Sequence, residues 1–98
     1  MLKKNYSSTG KYCRVTFKLP PEIEAETAAV LGDFNDWNPE ARPMKKLKKG
    51  GFSATVSLSA PAEYRFRYLL DGTRWENDAD ADGYEQNAFG TEDSVLKV

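Results

Sequence analysis

Glu63-Tyr64-Arg65-Phe66-Arg67-Tyr68-Leu69-Leu70-Asp71-Gly72 carries the strongest structural signal in the chain. Tyr64, Phe66, Tyr68 and Leu70 fall on one side of a two-residue period; Glu63, Arg65 and Arg67 fall on the other. That is the pattern of a strand with one buried face. Asp71-Gly72 is a hairpin dipeptide, so Thr73 to Glu76 is expected to pair back on the strand.

Outward from this stretch the same period recurs. Cys13-Arg14-Val15-Thr16-Phe17-Lys18-Leu19 alternates without error, and Pro20-Pro21 ends it. Phe52-Ser53-Ala54-Thr55-Val56-Ser57-Leu58 alternates as well, after a tight turn at Gly50-Gly51. Thr27 to Gly32 is short and apolar on both faces. Met44 to Lys49 reads as an edge strand, whose lysines guard the exposed edge. Ser94 to Val98 closes the chain as a strand with Leu96 and Val98 inward. Gly32 to Pro43 and Asn77 to Gly90 are turn-rich and read as loops. These are about seven short strands and no helix, the pattern of an all-β sandwich or barrel.

Composition narrows the function. The chain has 98 residues, 14 Lys plus Arg against 15 Asp plus Glu, one Cys and no His. That length makes one domain, with a radius of about 13 Å. Lone Cys13 forms no internal disulfide, so nothing argues for an oxidising compartment. Zinc ligation and every His-based triad or general base are excluded. A near-neutral chain gives no electrostatic case for nucleic acid. No segment approaches the roughly 20 apolar residues of a membrane span, and the N-terminus lacks the apolar core of a signal peptide. These features point to a soluble, cytoplasmic domain with no membrane partner. Residues 1–49 carry a net charge of +4 and residues 50–98 one of −5, an asymmetry of surface rather than of domains.

Both tryptophans fall outside the alternating runs. Trp37 lies in Gly32-Asp33-Phe34-Asn35-Asp36-Trp37-Asn38-Pro39, and Trp75 just after the Asp71-Gly72 turn. Two readings stand for each: a flat platform for the apolar face of a sugar ring, or a plug at one end of the sandwich. Arg65 and Arg67 read first as a solvated sheet face, although a guanidinium fork also suits vicinal hydroxyls. Asp78-Ala79-Asp80-Ala81-Asp82-Gly83 matches the opening of an EF-hand loop, but its twelfth position is Phe89 rather than Glu, and flanking helices are missing. No metal site or cofactor is expected. Paired carboxylates are the one enzymatic option left, and none is marked as buried with a raised pKa. Enzyme activity is not expected.

Three motifs in order carry a resemblance: Gly32 to Pro39, Tyr64 to Gly72 with Trp75, and Asn87-Ala88-Phe89-Gly90-Thr91-Glu92-Asp93-Ser94-Val95. Over about residues 11–98 the chain resembles carbohydrate-binding module family 48. This is the early-set immunoglobulin-like domain at the N-terminus of isoamylases, pullulanases and glycogen branching enzymes. It is also similar to the glycogen-binding module of AMP-activated protein kinase beta subunits. The resemblance implies an immunoglobulin-like β-sandwich over 11–98 behind a flexible N-terminus at 1–10. It implies non-catalytic binding of α-1,4-linked glucan, that is glycogen, starch or maltooligosaccharide. Trp37 and Trp75 fall on the family's stacking tryptophans and Arg67 on its lysine. Phe89 falls on the bulky residue that inserts against the glucan, and Thr91 and Asp93 on its hydroxyl-bonding Thr and Asn. Asp93 departs from that pattern, since a carboxylate accepts hydrogen bonds and cannot donate them. One extra residue also separates Gly72 from Trp75. Modules of this type are usually attached to glycoside hydrolase family 13 enzymes. The chain ends at Val98, so any catalytic work is expected to fall to another chain.

A protein-interaction module is the alternative. The lysine-rich edge at Lys45, Lys46, Lys48 and Lys49 would then dock on a glycogen-metabolising enzyme or a regulatory complex, with little or no sugar binding.

Overall fold

A computed structural model describes residues 2–38, 40 and 43–98; Pro39 of the loop motif lies outside them. Two antiparallel sheets pack face to face in an immunoglobulin-like, all-β sandwich. The strands are β1 (Leu2–Tyr6), β2 (Tyr12–Leu19), β3 (Ala28–Gly32), β4 (Lys45–Lys46), β5 (Phe52–Ser59), β6 (Glu63–Leu70), β7 (Arg74–Glu76), β8 (Gly83–Gln86) and β9 (Glu92–Lys97). The first sheet runs β1-β2-β5-β4 and the second β3-β6-β9-β8, with β7 paired to the end of β6.

The alternating runs behave as the sequence predicts. Cys13, Val15, Phe17 and Leu19 of β2 and Phe52, Val56 and Leu58 of β5 meet Phe66, Tyr68 and Leu70 of β6 between the sheets. Phe17 sits at the centre, with ring centroids 5.1 Å from Phe66 and 6.5 Å from Tyr68, both edge-on. Such pairs add about 0.5–1.5 kcal/mol each beyond their buried area. Tyr68 brings a hydroxyl into this core. It donates to Asp78 Oδ2 at 2.5 Å, while the Asp78 N–H donates to Ser94 Oγ at 2.9 Å. Burial, followed by the neighbouring Asp78 carboxylate, pushes the Tyr68 hydroxyl far above the usual phenol range, so it stays a donor.

Three elements differ from the sequence reading. Leu2–Tyr6 forms β1, paired from Leu2↔Phe17 to Tyr6↔Cys13, where a flexible N-terminus is expected. Gly83–Gln86 forms β8 inside a segment that reads as loop. The strand count is therefore nine rather than about seven. Both extra strands lie at sheet edges with little buried surface, so neither needs apolar alternation. Asp33–Asn35 adds one 3-10 turn.

The sheets are tied at both margins. On one side the Met44 N–H donates to Ala28 O at 2.8 Å, joining the approach to β4 with β3. On the other, Asp82 Oδ2 accepts from Lys4 Nζ at 2.6 Å and from the Lys97 N–H at 2.7 Å. Burial pushes the Asp82 carboxyl upward, but the Lys4 ammonium and the Lys97 N–H together outweigh it and hold Asp82 below its ordinary range.

Candidate functional site

The site sits on the outer face of the second sheet and is built by three segments. The first follows β3. Gly32 is required there because a Cβ would lie 2.4 Å from the Arg65 carbonyl oxygen. The Asn35 side chain locks the turn, accepting from the Gly32 N–H and donating to Val30 O, both at 3.0 Å. Asp36 and Trp37 then take left-handed backbone angles, φ 54° and 56°, which cost of order 1–3 kcal/mol each. The Trp37 N–H donates to Gly32 O at 3.0 Å and its indole Nε1 to Asp33 Oδ1 at 3.1 Å. The other Asp33 oxygen accepts from the Arg65 N–H at 2.8 Å. One carboxylate thus fixes the indole to the central strand. Trp37 packs on Ala29, Leu31 and Leu69, the outward residues of β3 and β6, in a small apolar cluster separate from the main core.

The second segment is the β6–β7 hairpin. Asp71 takes φ 52° at its turn, and its Oδ1 accepts from the Glu26 and Thr27 N–H groups at 2.7 and 3.0 Å. The hairpin places Trp75 opposite Leu69, with 44% of its surface exposed. The Arg67 guanidinium lies 5.0 Å from the centroid of the Trp75 ring. The Arg67 Nε–H is buried and has no hydrogen-bond partner among the described residues.

The third segment is the turn between β8 and β9, shaped by Asn87. Its Oδ1 accepts from the Phe89 N–H at 2.9 Å and from the Thr91 hydroxyl at 3.1 Å. Its Nδ2 donates to Thr91 Oγ1 at 2.8 Å and to Asp93 Oδ1 at 3.1 Å. Phe89 stands at the tip, 91% exposed. Its ring belongs to neither apolar cluster, so packing does not hold it there.

All six residues singled out from the sequence (Trp37, Arg67, Trp75, Phe89, Thr91 and Asp93) line one depression of about 600 Å³, completed by Asp33, Arg65 and Asn87. Neither tryptophan belongs to the core between the sheets. Aromatic rings, fork donors and carboxylate acceptors therefore converge on one open surface, where they can stack on a flat ligand and bond groups at its edge. Asp33 and Asn87 escape a reading based on residue type alone. Asp33 sits four residues before Trp37, and Asn87 opens a four-residue turn, a position Asn favours.

The profile of one protein family, described as carbohydrate-binding module 48 (isoamylase N-terminal domain), matches residues 9–85. The chain belongs to that family. The match takes in Trp37, Arg67 and Trp75 and stops short of Phe89, Thr91 and Asp93. No curated protein matches the chain significantly. The family is carbohydrate-binding and generally non-catalytic.

The acidic stretch from Asp78 to Asp82 has other work. Asp78 is buried against Tyr68, and Asp82 holds Lys4 and β9. Among the described residues no three His, Cys, Asp or Glu side chains converge to hold a metal ion. No helix among them is long and apolar enough to cross a membrane.

Proposed function

We propose that the chain binds α-1,4-linked glucan of the glycogen and starch type, without catalysis. Trp37 and Trp75 stack on glucose faces, Phe89 wedges against the chain, and Arg67, Thr91 and Asp93 bond the ring-edge hydroxyls. The observation that carries this reading is the convergence of two tryptophans outside the core on one depression, beside the Arg67 guanidinium. Arg67 lines the depression, so its fork of donors can meet ring-edge hydroxyls. Family membership supports the carbohydrate class of the ligand. Affinity is modest, because every sugar hydroxyl must shed water before it bonds. Such a module fits a cytoplasmic protein acting beside a glycogen-metabolising enzyme.

Isothermal titration with maltoheptaose and with β-cyclodextrin tests the reading. Heat of binding saturating at millimolar ligand or below is expected. Absence of heat from a folded protein sinks it. The alternative, docking on an enzyme through the lysine edge, is supported by the exposure of Lys45 and Lys46 on β4. The 3.6 Å ion pair of Lys46 with Glu26 already takes part of that charge. Salt-sensitive capture of a protein partner, without sugar binding, would favour it.

A further inference from the structure

The depression at the tryptophans does not stop at Arg65. A second one, of about 230 Å³, is lined by Asp33, Glu63, Tyr64, Arg65, Glu85 and Val95. The two share Asp33 and Arg65, so they adjoin along the outer face of the second sheet. Their course is set by β6, whose outward positions run Leu69, Arg67, Arg65, Glu63. The six steps from Leu69 to Glu63 cover about 20 Å of strand.

The far part has a preset wall. The Arg65 guanidinium pairs with Glu85 on β8, and the Arg65 N–H is held by Asp33. Its floor is Val95, and the strand beyond carries Gly83 opposite Val95, so no side chain rises over the groove there. The far part is more polar than the near one and holds no tryptophan: Val95 lies beneath carboxylate acceptors at Glu63 and Glu85 and a guanidinium fork at Arg65. A fork and a carboxylate held against each other suit hydroxyls that project from a ring edge, and exposed Glu63, 3.7 Å from Lys97 Nζ, stands at the end of the row. They offer no single-sign field for a charged ligand.

We propose that Arg65, Glu85, Glu63 and Val95 form a second sugar subsite that receives glucose residues running on from the tryptophans. This makes the far groove the determinant of chain length: the protein prefers long or internal glucan segments to short ones. The proposal rests on the glucan-binding reading of the tryptophan site.

Gly83→Leu gives the cleanest test. Gly83 has ordinary extended backbone, and a Cβ there meets only Val95 Cβ, at 3.9 Å. A leucine side chain therefore grows over the far groove and touches nothing at the tryptophans. Titrations of the whole chain with maltotetraose and maltodecaose are compared in wild type and variant. Wild type is expected to bind the longer chain about tenfold more tightly, the worth of one or two extra hydrogen bonds. Gly83→Leu should lose that gain and keep its affinity for maltotetraose. A gain that persists in a folded Gly83→Leu is only the statistical benefit of more registers, and overturns the proposal. Equal weakening on both ligands overturns it too. If Gly83→Leu does not fold, Glu63→Ala at an exposed position takes its place. A lost gain then supports the far subsite and a full gain overturns it. No difference between the two ligands in wild type refutes it as well. Absence of binding to either ligand removes the glucan reading itself, and the far subsite with it.

Discussion

The two sheets turn very different faces to the outside, although the same alternation builds both. The first presents Lys3, Asn5, Tyr12, Arg14, Thr16, Lys18, Lys45 and a row of serines and threonines on β5. No carboxylate stands among these outward positions of the described residues, and the neighbouring Thr16 and Thr55 hydroxyls lie 3.2 Å apart. The second presents Ala29, Leu31 and Leu69 under Trp37, then Arg67 over Trp75, then the Arg65–Glu85 pair. The first face is one that water covers well. The second holds apolar surface and fixed polar groups side by side, which water covers poorly and a flat, hydroxyl-fringed ligand covers better. Strand periodicity separates inside from outside; the chemistry of the outward positions separates a polar face from one that carries apolar residues and aromatic rings.

The most direct way to break this contrast is at the tryptophans. Trp75→Ala should weaken maltoheptaose binding by at least about thirtyfold, as loss of a central aromatic anchor does, with little change in stability, since Trp75 lies outside both apolar clusters. Trp37→Ala should weaken binding as much. It should also lower the unfolding free energy by about 1–2 kcal/mol, less than the roughly 3–5 of a fully buried aromatic. Titration together with urea denaturation reads both. Wild-type binding by either variant would remove the second face as the binding face.

A smaller effect is expected one step away from the ligand. Asn87→Ala removes the side chain that shapes the Phe89 turn. Binding should fall about tenfold, at roughly 1 kcal/mol per lost hydrogen bond, with the sandwich still folded by circular dichroism.

The sheets also answer to acid through their shared tie. Asp82 keeps its charge to lower pH in the folded chain than in the unfolded one. Its contribution is therefore complete above the ordinary carboxylate pKa of about 4. It fades as pH falls through the lowered folded value. Asp82→Asn should be somewhat less stable than wild type near neutrality, and the gap should close on acidification. A gap that stays constant down to strong acid would show that the Lys4–Asp82 charge pair contributes nothing. The smallest effect belongs to the first face: Tyr12→Ala and Arg14→Ala should leave glucan affinity within about twofold, as surface changes away from a site do. A larger loss would mean that the wetted face binds as well.

The legible part of the fold is the part that buries one side. Cys13–Leu19, Phe52–Leu58 and Glu63–Leu70 each show an uninterrupted period because a mistake at any inward position would put a polar group in the core. Leu2–Tyr6 and Gly83–Gln86 carry no such constraint; they are held by ladder hydrogen bonds and by the Lys4–Asp82 contact, which leave no period in the residue string. The candidate site follows the same division. Trp37, Trp75 and Phe89 stand out because bulky rings off the alternating positions have no place in the core. Asp33 and Asn87 do not stand out, because an Asp or Asn in a loop is the commonest thing in a loop. Their importance comes from the partners that folding brings to them.

One carboxylate oxygen has a consequence for how this unit can be joined to others. Asp82 Oδ2 holds both Lys4 and the backbone of Lys97, so the beginning and the end of the sandwich leave it side by side. A domain with adjacent ends can be spliced into an exposed loop of a host protein without prising the host apart, or circularly permuted through a short linker. Asp82, Lys4 and Lys97 are not among the residues that line the tryptophan depression, so neither arrangement engages that lining directly.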